Sequence, residues 1–313
     1  MNFLILGAGG IGSYFGARLL DAGNQVTFVA RGEHLLALQQ NGLKLQHPEF
    51  SFHKQIPSSQ ICEIKKFDFS LFDAVLITTK STSTLNLANH LKEWFADDKN
   101  IPFIISLQNG VENEEVLSSY INKKYIIAGL TRKIGAHIVS PAVVKATGCA
   151  ETILGAIEKT NKNKIFLINL KEVFKNANIP TEISENINLE LWKKLIINNG
   201  VNAICALLKK KTGVIMHNKK LSKIVYGLMT ETSIAASNKG INISKVEVDE
   251  MFKLITDFDS IKPSMLVDLE NNREIELDQI CNVVIRNCEE QNLDAPYTRT
   301  ISTLLDFTYN KKY

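Results

Sequence analysis

The chain begins with a glycine-rich loop whose spacing is typical of dinucleotide binding. Residues 7–12 read GAGGIG, after the apolar run Phe3 to Leu6 and before a stretch with helical character. Such a loop binds a dinucleotide when a strand enters it and a helix leaves it, because the helix N-terminus then faces the pyrophosphate. The alternative is a plain strand-to-helix turn. The context predicts a nucleotide site, in which the first glycine allows the turn, the second admits the phosphates and the third packs the helix on the sheet. Its residues are Gly7, Gly9, Gly10, Ile11 and Gly12.

The residue after the second predicted strand indicates which cofactor the loop would hold. NAD-binding sites of this type usually have an Asp or Glu there, which accepts hydrogen bonds from the ribose hydroxyls. Here the strand from Gln25 to Ala30 is followed by Arg31, and no acid occurs before Glu33. A guanidinium binds a 2′-phosphate through paired charge-assisted hydrogen bonds, whereas a carboxylate repels it. We therefore expect NADPH with Arg31 on its 2′-phosphate; the alternative is a solvated loop arginine.

A polar stripe interrupts an otherwise apolar helical segment in the second half of the chain. Lys194, Asn198 and Asn202 are four residues apart, so they lie on successive turns of one helix face. Apolar residues cover much of the remaining circumference, which indicates a helix buried on most sides. Buried ammonium and amide groups need partners, and a substrate in a cleft is one way to provide them. A solvated helix face is the alternative that periodicity leaves open.

The elements that would position these groups divide the chain into two parts. Apolar strands alternate with helices in the first part, which predicts a parallel, doubly wound sheet. The segment from His137 to Ile153 is expected to finish this part with short, partly antiparallel strands. Beyond the first strand, further strands are predicted at Gln25 to Ala30, Ala74 to Thr78, Phe103 to Ser106 and Tyr125 to Leu130, and helices at Ile11 to Ala22, Thr84 to Phe95 and Glu112 to Tyr120.

Helical spacing dominates from about Glu185. Helices are predicted at Glu190 to Leu208, Leu221 to Lys239, Lys245 to Thr256, Glu276 to Gln291 and Thr298 to Phe307. The boundary is expected in the polar segment from Pro180 to Asn188. The fold class predicted is therefore α/β: a Rossmann-type, doubly wound N-terminal domain over residues 1–184, followed by an all-α C-terminal domain over residues 185–313.

The composition is that of an ordinary water-soluble globular protein. Thirty-six basic and 33 acidic residues give a net charge of +3, which argues against nucleic acid or an anionic membrane as a partner. No apolar run approaches the length of a membrane span and no leader-like segment precedes the first strand, so we expect a cytoplasmic protein. The five cysteines are expected to be buried or half-buried thiols, and the six histidines lack metal-ligand spacing, so we expect no metal.

Two basic segments have simple structural interpretations. The lysines at positions 209–211 are expected near the C-terminus of a helix, where they complement its dipole, with Gly213 shortly past the helix end. Residues 310–313 are expected to form a frayed tail.

An ordered set of short motifs resembles the ketopantoate reductases (2-dehydropantoate 2-reductases) over essentially the whole chain. Glu276 follows Ser264 by twelve residues, as in that family, whereas Asn272 stands where the family usually has glycine and Cys281-Asn282 where it usually has Asn-Gly. The matching segments are GAGGIG, LITTK ending at Lys80, Gln108-Asn109-Gly110 with Asn113-Glu114-Glu115, Trp192-Lys193-Lys194-Leu195 with Asn198 and Asn202, Ser264-Met265 with Asp268-Leu269-Glu270, and Glu276-Leu277-Asp278.

The resemblance implies hydride transfer from NADPH to the C2 ketone of a 2-oxo acid in a cleft between the two domains. Lys194 matches the family's catalytic lysine, which would stabilise the developing alkoxide and then protonate it. Glu276 matches the active-site glutamate, which would bind the substrate hydroxyl and balance the charge beside Lys194. Asn198 and Asn202 match positions that hydrogen-bond the substrate, and Ser264 matches one that contacts its carboxylate.

The resemblance also implies roles for residues outside these helices. Asn109 matches an asparagine near the nicotinamide and the substrate, although Asn-Gly is also an ordinary turn dipeptide. Lys80 matches a lysine near the cofactor and the substrate carboxylate, with a plain surface lysine as the alternative. Arg273 is either functional or an ion-pair partner of Asp268 or Glu270.

Taken together, the resemblance implies NADPH-dependent reduction of 2-dehydropantoate to (R)-pantoate, a precursor of coenzyme A, by a monomer or homodimer. One alternative is a related reductase that acts on another 2-oxo acid. The other is a module that binds NADPH and senses redox state without turnover. The presence of both Lys194 and Glu276 argues against the sensor, because a sensor has no need of a proton donor beside a paired acid.

Overall fold

Ten strands form one mixed sheet in the N-terminal unit of the chain, Met1–Ile187. The computed structural model describes residues 1–96, 98, 100–257 and 261–309, so the tail expected at 310–313 lies outside the described residues. The strands are β1 (Asn2–Leu6), β2 (Gln25–Val29), β3 (Leu43–His47), β4 (Phe50–Lys54), β5 (Ser58–Ser59), β6 (Ala74–Ile77), β7 (Phe103–Ser106), β8 (Ile126–Ser140), β9 (Val143–Ala156) and β10 (Thr181–Ile183).

The order of the strands places a switch point beside the first strand. The sheet runs β4-β3-β9-β8-β7-β6-β1-β2-β5, with β10 paired to β9. Strands β5, β2, β1, β6, β7 and β8 run parallel to one another, whereas β8 pairs antiparallel with β9. Strands β1, β6 and β7 are buried on both faces, which explains their continuous apolar runs. The chain continues from β1 to β2 on one side and later returns to β6 on the other. Ligands of open α/β sheets bind at such a point, outside the carboxyl ends of the strands.

The end of the sheet differs from the sequence-based prediction. Instead of short strands over residues 137–153, β8 and β9 form one long antiparallel hairpin, whose turn contains Ala142 with φ +61°. A bulge at Lys133, with φ +56°, interrupts the pairing. A bulge bends a strand locally. The start of β8 and the end of β9 are buried, whereas the part of the hairpin near its turn is largely exposed and mixes polar with apolar residues.

Five α-helices accompany the sheet among the described residues of this unit. They are α1 (Gly10–Asp21), α2 (Gly32–Asn41), α3 (Thr84–Phe95), α4 (Asn113–Ser118) and α5 (Asn161–Asn176). The predicted end of α1 is confirmed, because Gly23 has φ +81° and the Asn24 N–H returns to the Leu19 carbonyl, as in a Schellman cap. Helices α2 and α5 and strands β3, β4, β5 and β10 were not predicted from the sequence.

The second unit, Asn188–Tyr313, is helical in its described residues. Its helices are α6 (Ile187–Leu208), α7 (Thr212–Met216), α8 (Lys219–Ser237), α9 (Lys245–Thr256), α10 (Ser264–Glu270), α11 (Val283–Glu289) and α12 (Pro296–Tyr309). The predicted bounds of α9 are confirmed, since Ser244 and Glu247 form a capping box at its start. The short helices α7 and α10 were not predicted.

Two buried polar residues join the helices of this unit. Asn199 of α6 donates to Leu228 O (3.3 Å), Thr232 Oγ1 (2.9 Å) and Thr298 Oγ1 (3.0 Å), and so connects α6 to α8 and α12. Glu231 of α8 accepts from the backbone N–H groups of Tyr297 (2.8 Å) and Thr298 (2.7 Å). This carboxylate therefore caps the N-terminus of α12 and complements its dipole.

Three sequence-based predictions about this unit and about the thiols need correction. The segment predicted as one helix from Glu276 to Gln291 contains a π-helical turn, Asp278–Asn282, before α11. Helix α6 ends through Lys209 in the left-handed region (φ +51°), while Gly213 lies inside α7. The thiols are not all buried or half-buried, because Cys62 and Cys149 are exposed; the other three are buried.

Candidate active site

The glycine loop lies at the carboxyl end of β1, beside the switch point of the sheet. Gly7 has φ +105°, and a Cβ there would lie 2.9 Å from the Thr79 backbone nitrogen, so no other residue fits without strain. A Cβ on Gly12 would collide with the Gly7 carbonyl oxygen and with Thr78 Oγ1. Gly12 therefore lets α1 pack directly against the strand ends.

The remaining positions of the loop differ in what they face. A Cβ on Gly9 would meet no atom within 4 Å, so this glycine borders open space. A Cβ on Gly10 would collide with the Ala136 carbonyl oxygen of β8, so Gly10 is also required for packing, which the motif alone does not reveal. Ile11 is half-buried and packs against the core.

The N-terminus of α1 has the properties of a phosphate site. Gly9 is its N-cap residue and provides no side-chain cap, and the first turn contains no acidic residue. The first N–H groups of a helix have no intrahelical partner and favour an anion. The open space at Gly9 together with this uncapped helix end fits the pyrophosphate of a dinucleotide.

Arg31 occupies the position that discriminates between the two nicotinamide cofactors. It lies between β2, which pairs with β1, and α2, of which it is the N-cap residue. Its side chain is exposed. The structure places no acid between the end of β2 and Glu33 in the first turn of α2. The guanidinium is therefore available to an anionic group at the edge of the loop.

A buried hydrogen-bond network positions Lys80 and Asn109 at the same edge of the sheet. Gln108 Nε2 donates to the carbonyl oxygen of Lys80 (3.2 Å) and to Thr84 Oγ1 (3.0 Å). Thr84 Oγ1 donates to Asn113 Oδ1 (2.8 Å), and Asn113 Nδ2 donates to the Asn109 carbonyl oxygen (2.8 Å). Since Lys80 follows β6 and Asn109 follows β7, the network holds two loops together at the carboxyl ends of adjacent parallel strands. Gln108 and Asn113 are part of a family motif in the sequence, but their role in this network becomes visible only in the structure.

Helix α6 carries the predicted polar stripe. Lys194 and Asn198 are half-buried, and Asn202 is 3% exposed. Asn202 Nδ2 is buried and has no hydrogen-bond partner among the described residues. A buried amide donor without a partner costs about 1–3 kcal/mol, so a ligand that accepts from it would recover that energy. The adjacent Lys193 instead pairs with Glu247 of α9 at 2.8 Å, which holds the pKa of that carboxyl down at about 2.

Ser264 begins α10, and the residues after that helix form ion pairs. Ser264 is exposed and follows the N-cap residue Pro263. Arg273 Nη1 lies 3.6 Å from Asp268 Oδ1, so of the roles left open for Arg273 the structure shows the ion pair with Asp268. Asn272 has φ +51°, which explains why glycine is usual there and why Asn, which tolerates this conformation, replaces it.

Glu276 lies two residues before the π-helical turn, Asp278–Asn282. The residue is 7% exposed, and its carbonyl oxygen accepts from the Ile280 N–H (3.2 Å). The turn is held by Arg286 Nη1 on Asp278 Oδ1 (2.7 Å) and by Ser302 Oγ on Asn282 Oδ1 (2.9 Å). Single π-turns occur frequently at functional sites. The sequence analysis missed this irregularity, for which the sequence contains no clear signal.

The described residues offer no grouping of three or more His, Cys, Asp or Glu side chains that could hold a metal ion. Within the same part of the chain, no helix combines the length and apolar character needed to cross a membrane.

Comparison with known proteins identifies the family. The profile described as "Ketopantoate reductase PanE/ApbA" matches residues 3–159, and "Ketopantoate reductase PanE/ApbA C terminal" matches residues 186–308. The chain is 32% identical to the 2-dehydropantoate 2-reductase of Pyrococcus abyssi, over 95% of this chain and 94% of that protein. It is also 32% identical to that of Pyrococcus horikoshii, over 95% and 93%.

Solved structures show the same fold. The PanE/ApbA family ketopantoate reductase from Ralstonia eutropha JMP134 has a TM-score of 0.86 and 26% identity, covering 99% of each chain. A D-mandelate dehydrogenase solved with NADH and anilino(oxo)acetate has a TM-score of 0.90 at 21% identity, covering 99% of this chain and 98% of that one, and this likeness concerns the fold. The Rossmann-type α/β fold with an all-α C-terminal region is confirmed. The chain belongs to the ketopantoate reductase family.

Proposed function

We propose that this chain is a 2-dehydropantoate 2-reductase, which reduces the C2 ketone of 2-dehydropantoate (ketopantoate) with NADPH and gives (R)-pantoate for coenzyme A synthesis. The observation that carries the proposal is the similarity from end to end: 32% identity over 95% of the chain to proteins of that name. The geometry of the two units supports it independently, through a fitted pyrophosphate site and a polar stripe on a buried helix.

The N-terminal unit supplies the residues that would hold the cofactor. The N–H groups at the start of α1 would bind the pyrophosphate, with Gly7, Gly9, Gly10, Ile11 and Gly12 forming the loop. Arg31 would bind the 2′-phosphate, which favours NADPH over NADH. Lys80 and Asn109, joined through Gln108 and Asn113, would lie near the nicotinamide end. When bound, the cofactor supplies the hydride.

Lys194 is the proton donor in this proposal. Addition of a hydride to C2 moves the carbonyl electron pair onto oxygen, where it needs a cation or a proton. The Lys194 ammonium donates a hydrogen bond to that oxygen and then transfers its proton, which leaves a neutral amine and the product hydroxyl. Lys194 must regain a proton from solvent before the next cycle.

The other residues of the helical unit bind and orient the substrate. Asn202 offers a buried amide donor that has no partner among the described residues, and Asn198 lies one turn before it on α6. Ser264 would contact the substrate carboxylate. Glu276 would accept a hydrogen bond from the substrate hydroxyl and balance the charge of Lys194. These assignments extend the family resemblance to the matching positions of this chain.

A second candidate is the reduction of a different 2-oxo acid. It is favoured by the shell behind Glu276, where Cys281-Asn282 replaces the Asn-Gly that the resemblance leads one to expect. Both residues lie in the π-helical turn, Cys281 is buried, and Asn282 accepts from Ser302. Different side chains in this shell would orient the glutamate, and hence the pocket, differently.

The two candidates are separated by a substrate panel. NADPH absorbance is followed with ketopantoate, 2-oxoisovalerate, pyruvate and phenylglyoxylate. Our proposal predicts the highest kcat/KM for ketopantoate. A higher value for another acid would support the second candidate, and no turnover with any of them would contradict both.

We further infer a cytoplasmic enzyme that acts as a monomer or homodimer and has no nucleic-acid or membrane partner. The near balance of charge, +3 in 313 residues, supports this inference. Light scattering after gel filtration measures the oligomeric state, and any assembly larger than a dimer would contradict it.

A further inference from the structure

His34 bridges the glycine loop and the β8–β9 hairpin. Its ring Nε2 lies 2.8 Å from the Ala8 carbonyl oxygen, and its Nδ1 lies 3.1 Å from the Ala142 backbone nitrogen. The Ala142 N–H can only donate, so Nδ1 accepts, and Nε2 of the neutral ring therefore donates to Ala8. Burial lowers the pKa of His34, which favours this neutral form.

The Ala8 carbonyl is held from two sides. Besides His34, the Ser13 hydroxyl donates to the same oxygen at 3.0 Å, and Ser13 is fully buried. The peptide between Ala8 and Gly9 is trans, so its N–H points opposite to its C=O. Fixing the Ala8 oxygen toward Ser13 and His34 therefore directs the Gly9 N–H away from both of them.

The other peptide groups of the loop are fixed without His34. The N–H groups of Gly7 and Ala8 both lie 3.1 Å from the Val29 carbonyl oxygen, and Thr78 Oγ1 donates to the Gly7 carbonyl oxygen at 2.8 Å. Only the peptide that presents the Gly9 N–H depends on the histidine. Gly9 is also the glycine that borders open space.

His34 further connects this peptide to Arg31. It is the third residue of α2, whose N-cap residue is Arg31. A bond from the first turn of α2 to the glycine loop therefore fixes the distance between the expected 2′-phosphate ligand and the expected pyrophosphate site.

We propose that His34 is a positioning residue for the cofactor: through Ala8 it aims the Gly9 N–H at the pyrophosphate, and through the first turn of α2 it holds Arg31 in place. The inference rests on the proposed function, because it assumes a nicotinamide dinucleotide at the glycine loop. It assigns no contact between His34 and the reacting atoms.

Amide side chains can separate the two bonds of His34. In His34→Gln the side-chain NH2 can take the place of Nε2, which keeps the donor to Ala8. In His34→Asn the side-chain oxygen can take the place of Nδ1, which keeps only the acceptor for Ala142. His34→Phe removes both and keeps a ring of similar size.

The chain contains a matched control histidine. His47 bonds the Gly148 carbonyl oxygen through Nε2 (2.7 Å) and accepts from the Glu49 N–H through Nδ1 (3.2 Å). It therefore ties β3 to the same hairpin with the same pattern of bonds, but makes no bond to the glycine loop. His47→Phe tests whether an effect comes from hairpin stability alone.

The test is direct titration of each full-length variant with NADPH and with NADH, monitored by cofactor fluorescence, together with kcat and the KM for NADPH. For His34→Phe and His34→Asn we expect the dissociation constant for NADH to rise about tenfold, equivalent to about 1.4 kcal/mol, and that for NADPH to rise further, because only NADPH has the 2′-phosphate that Arg31 would bind. The kcat at saturating NADPH should stay within about twofold of the parental value. His34→Gln should retain most of the affinity, and His47→Phe should bind as the parent does.

Several results would overturn the inference. They are parental affinity in His34→Phe or His34→Asn, equal losses in His34→Gln and His34→Asn, or an equal loss in His47→Phe. A parent protein that binds neither nucleotide would instead overturn the proposed function. Binding by the parent and loss in the two variants alone would support both.

Discussion

Replacing Gly9 with alanine should weaken NADPH binding, whereas replacing Gly12 with alanine should lower the stability of the protein. Gly9 has φ −71°, which alanine adopts readily, and its added methyl meets no atom within 4 Å. We expect Gly9→Ala to lose only the N-cap preference of glycine over alanine, about 0.5–1 kcal/mol of unfolding free energy. The methyl would occupy space that the phosphate oxygens need, so the variant should fold and bind NADPH poorly.

The loss of affinity can be estimated from the contacts at the helix terminus. Displacing the pyrophosphate from one backbone N–H removes one charge-assisted hydrogen bond, about 1.5–3 kcal/mol. The dissociation constant for NADPH should therefore rise roughly 10- to 150-fold. Gly12→Ala is the control, because its methyl collides with the Gly7 carbonyl oxygen and must push α1 off the strand ends. Overpacking of that kind costs about 1–3 kcal/mol of stability.

The assay combines fluorescence titration with NADPH and urea unfolding of parent, Gly9→Ala and Gly12→Ala. The expected pattern is weak binding at near-parental stability for Gly9→Ala, and lowered stability for Gly12→Ala. Parental NADPH affinity in Gly9→Ala would refute the placement of the pyrophosphate. A large loss of stability in Gly9→Ala would refute the open space beside it.

Three further predictions concern other parts of the molecule. Arg31→Ala should weaken NADPH far more than NADH in parallel titrations, by about 1.5–3 kcal/mol for a charge-assisted contact; equal losses would remove the 2′-phosphate argument. Asn202→Ala should raise the KM for the 2-oxo acid with little change in unfolding free energy. Asn199→Ala should instead lower the unfolding free energy by about 1–3 kcal/mol, because acceptors on α8 and α12 lose the amide donor of Asn199; the reverse pattern would contradict the site. Burial raises the pKa of Glu114 from 4.5 to about 7. Between these two pH values the folded protein keeps this proton while the unfolded chain has lost it, so the unfolding free energy is highest below pH 4.5 and falls as the pH rises through 7. Glu114→Gln should therefore gain about 3 kcal/mol relative to the parent between pH 4.5 and 8 in urea unfolding, and a flat difference would contradict the burial effect.

The core of the fold could be predicted because strong local signals agree with the tertiary structure. The buried parallel strands β1, β6 and β7 are continuous apolar runs, and α3 and α9 have the bounds expected from periodicity and capping. The edge strands could not be predicted in this way. β3 and β4 have only five residues each and β5 has only two, and β3 and β5 pair with strands distant in the sequence.

The sequence indicates candidate residues for the site but not the contacts that support them. The types and spacing at Gly7–Gly12 and Lys194–Asn202 indicated chemistry before any coordinates, whereas the roles of Glu276 and Ser264 came from the family resemblance. The supporting contacts join residues far apart in the sequence: His34 bonds a residue 26 positions away, Gln108 one 28 positions away and Asn199 one 29 positions away. No local sequence pattern encodes such contacts. The π-helical turn after Glu276 likewise has a partner distant in the sequence, because Ser302 donates to Asn282 from 20 positions away.

The central claim is that this chain reduces the ketone of ketopantoate, with NADPH as hydride donor and Lys194 as proton donor. The most direct measurement incubates ketopantoate with NADPH that carries deuterium at both C4 positions of the nicotinamide, using the parent and Lys194→Ala, and analyses the product by mass spectrometry and NMR. The account predicts pantoate with one deuterium at C2 from the parent. In Lys194→Ala it predicts formation at least about a hundredfold slower, while NADPH binding persists. Pantoate without deuterium at C2, or equal rates from both proteins, would contradict it.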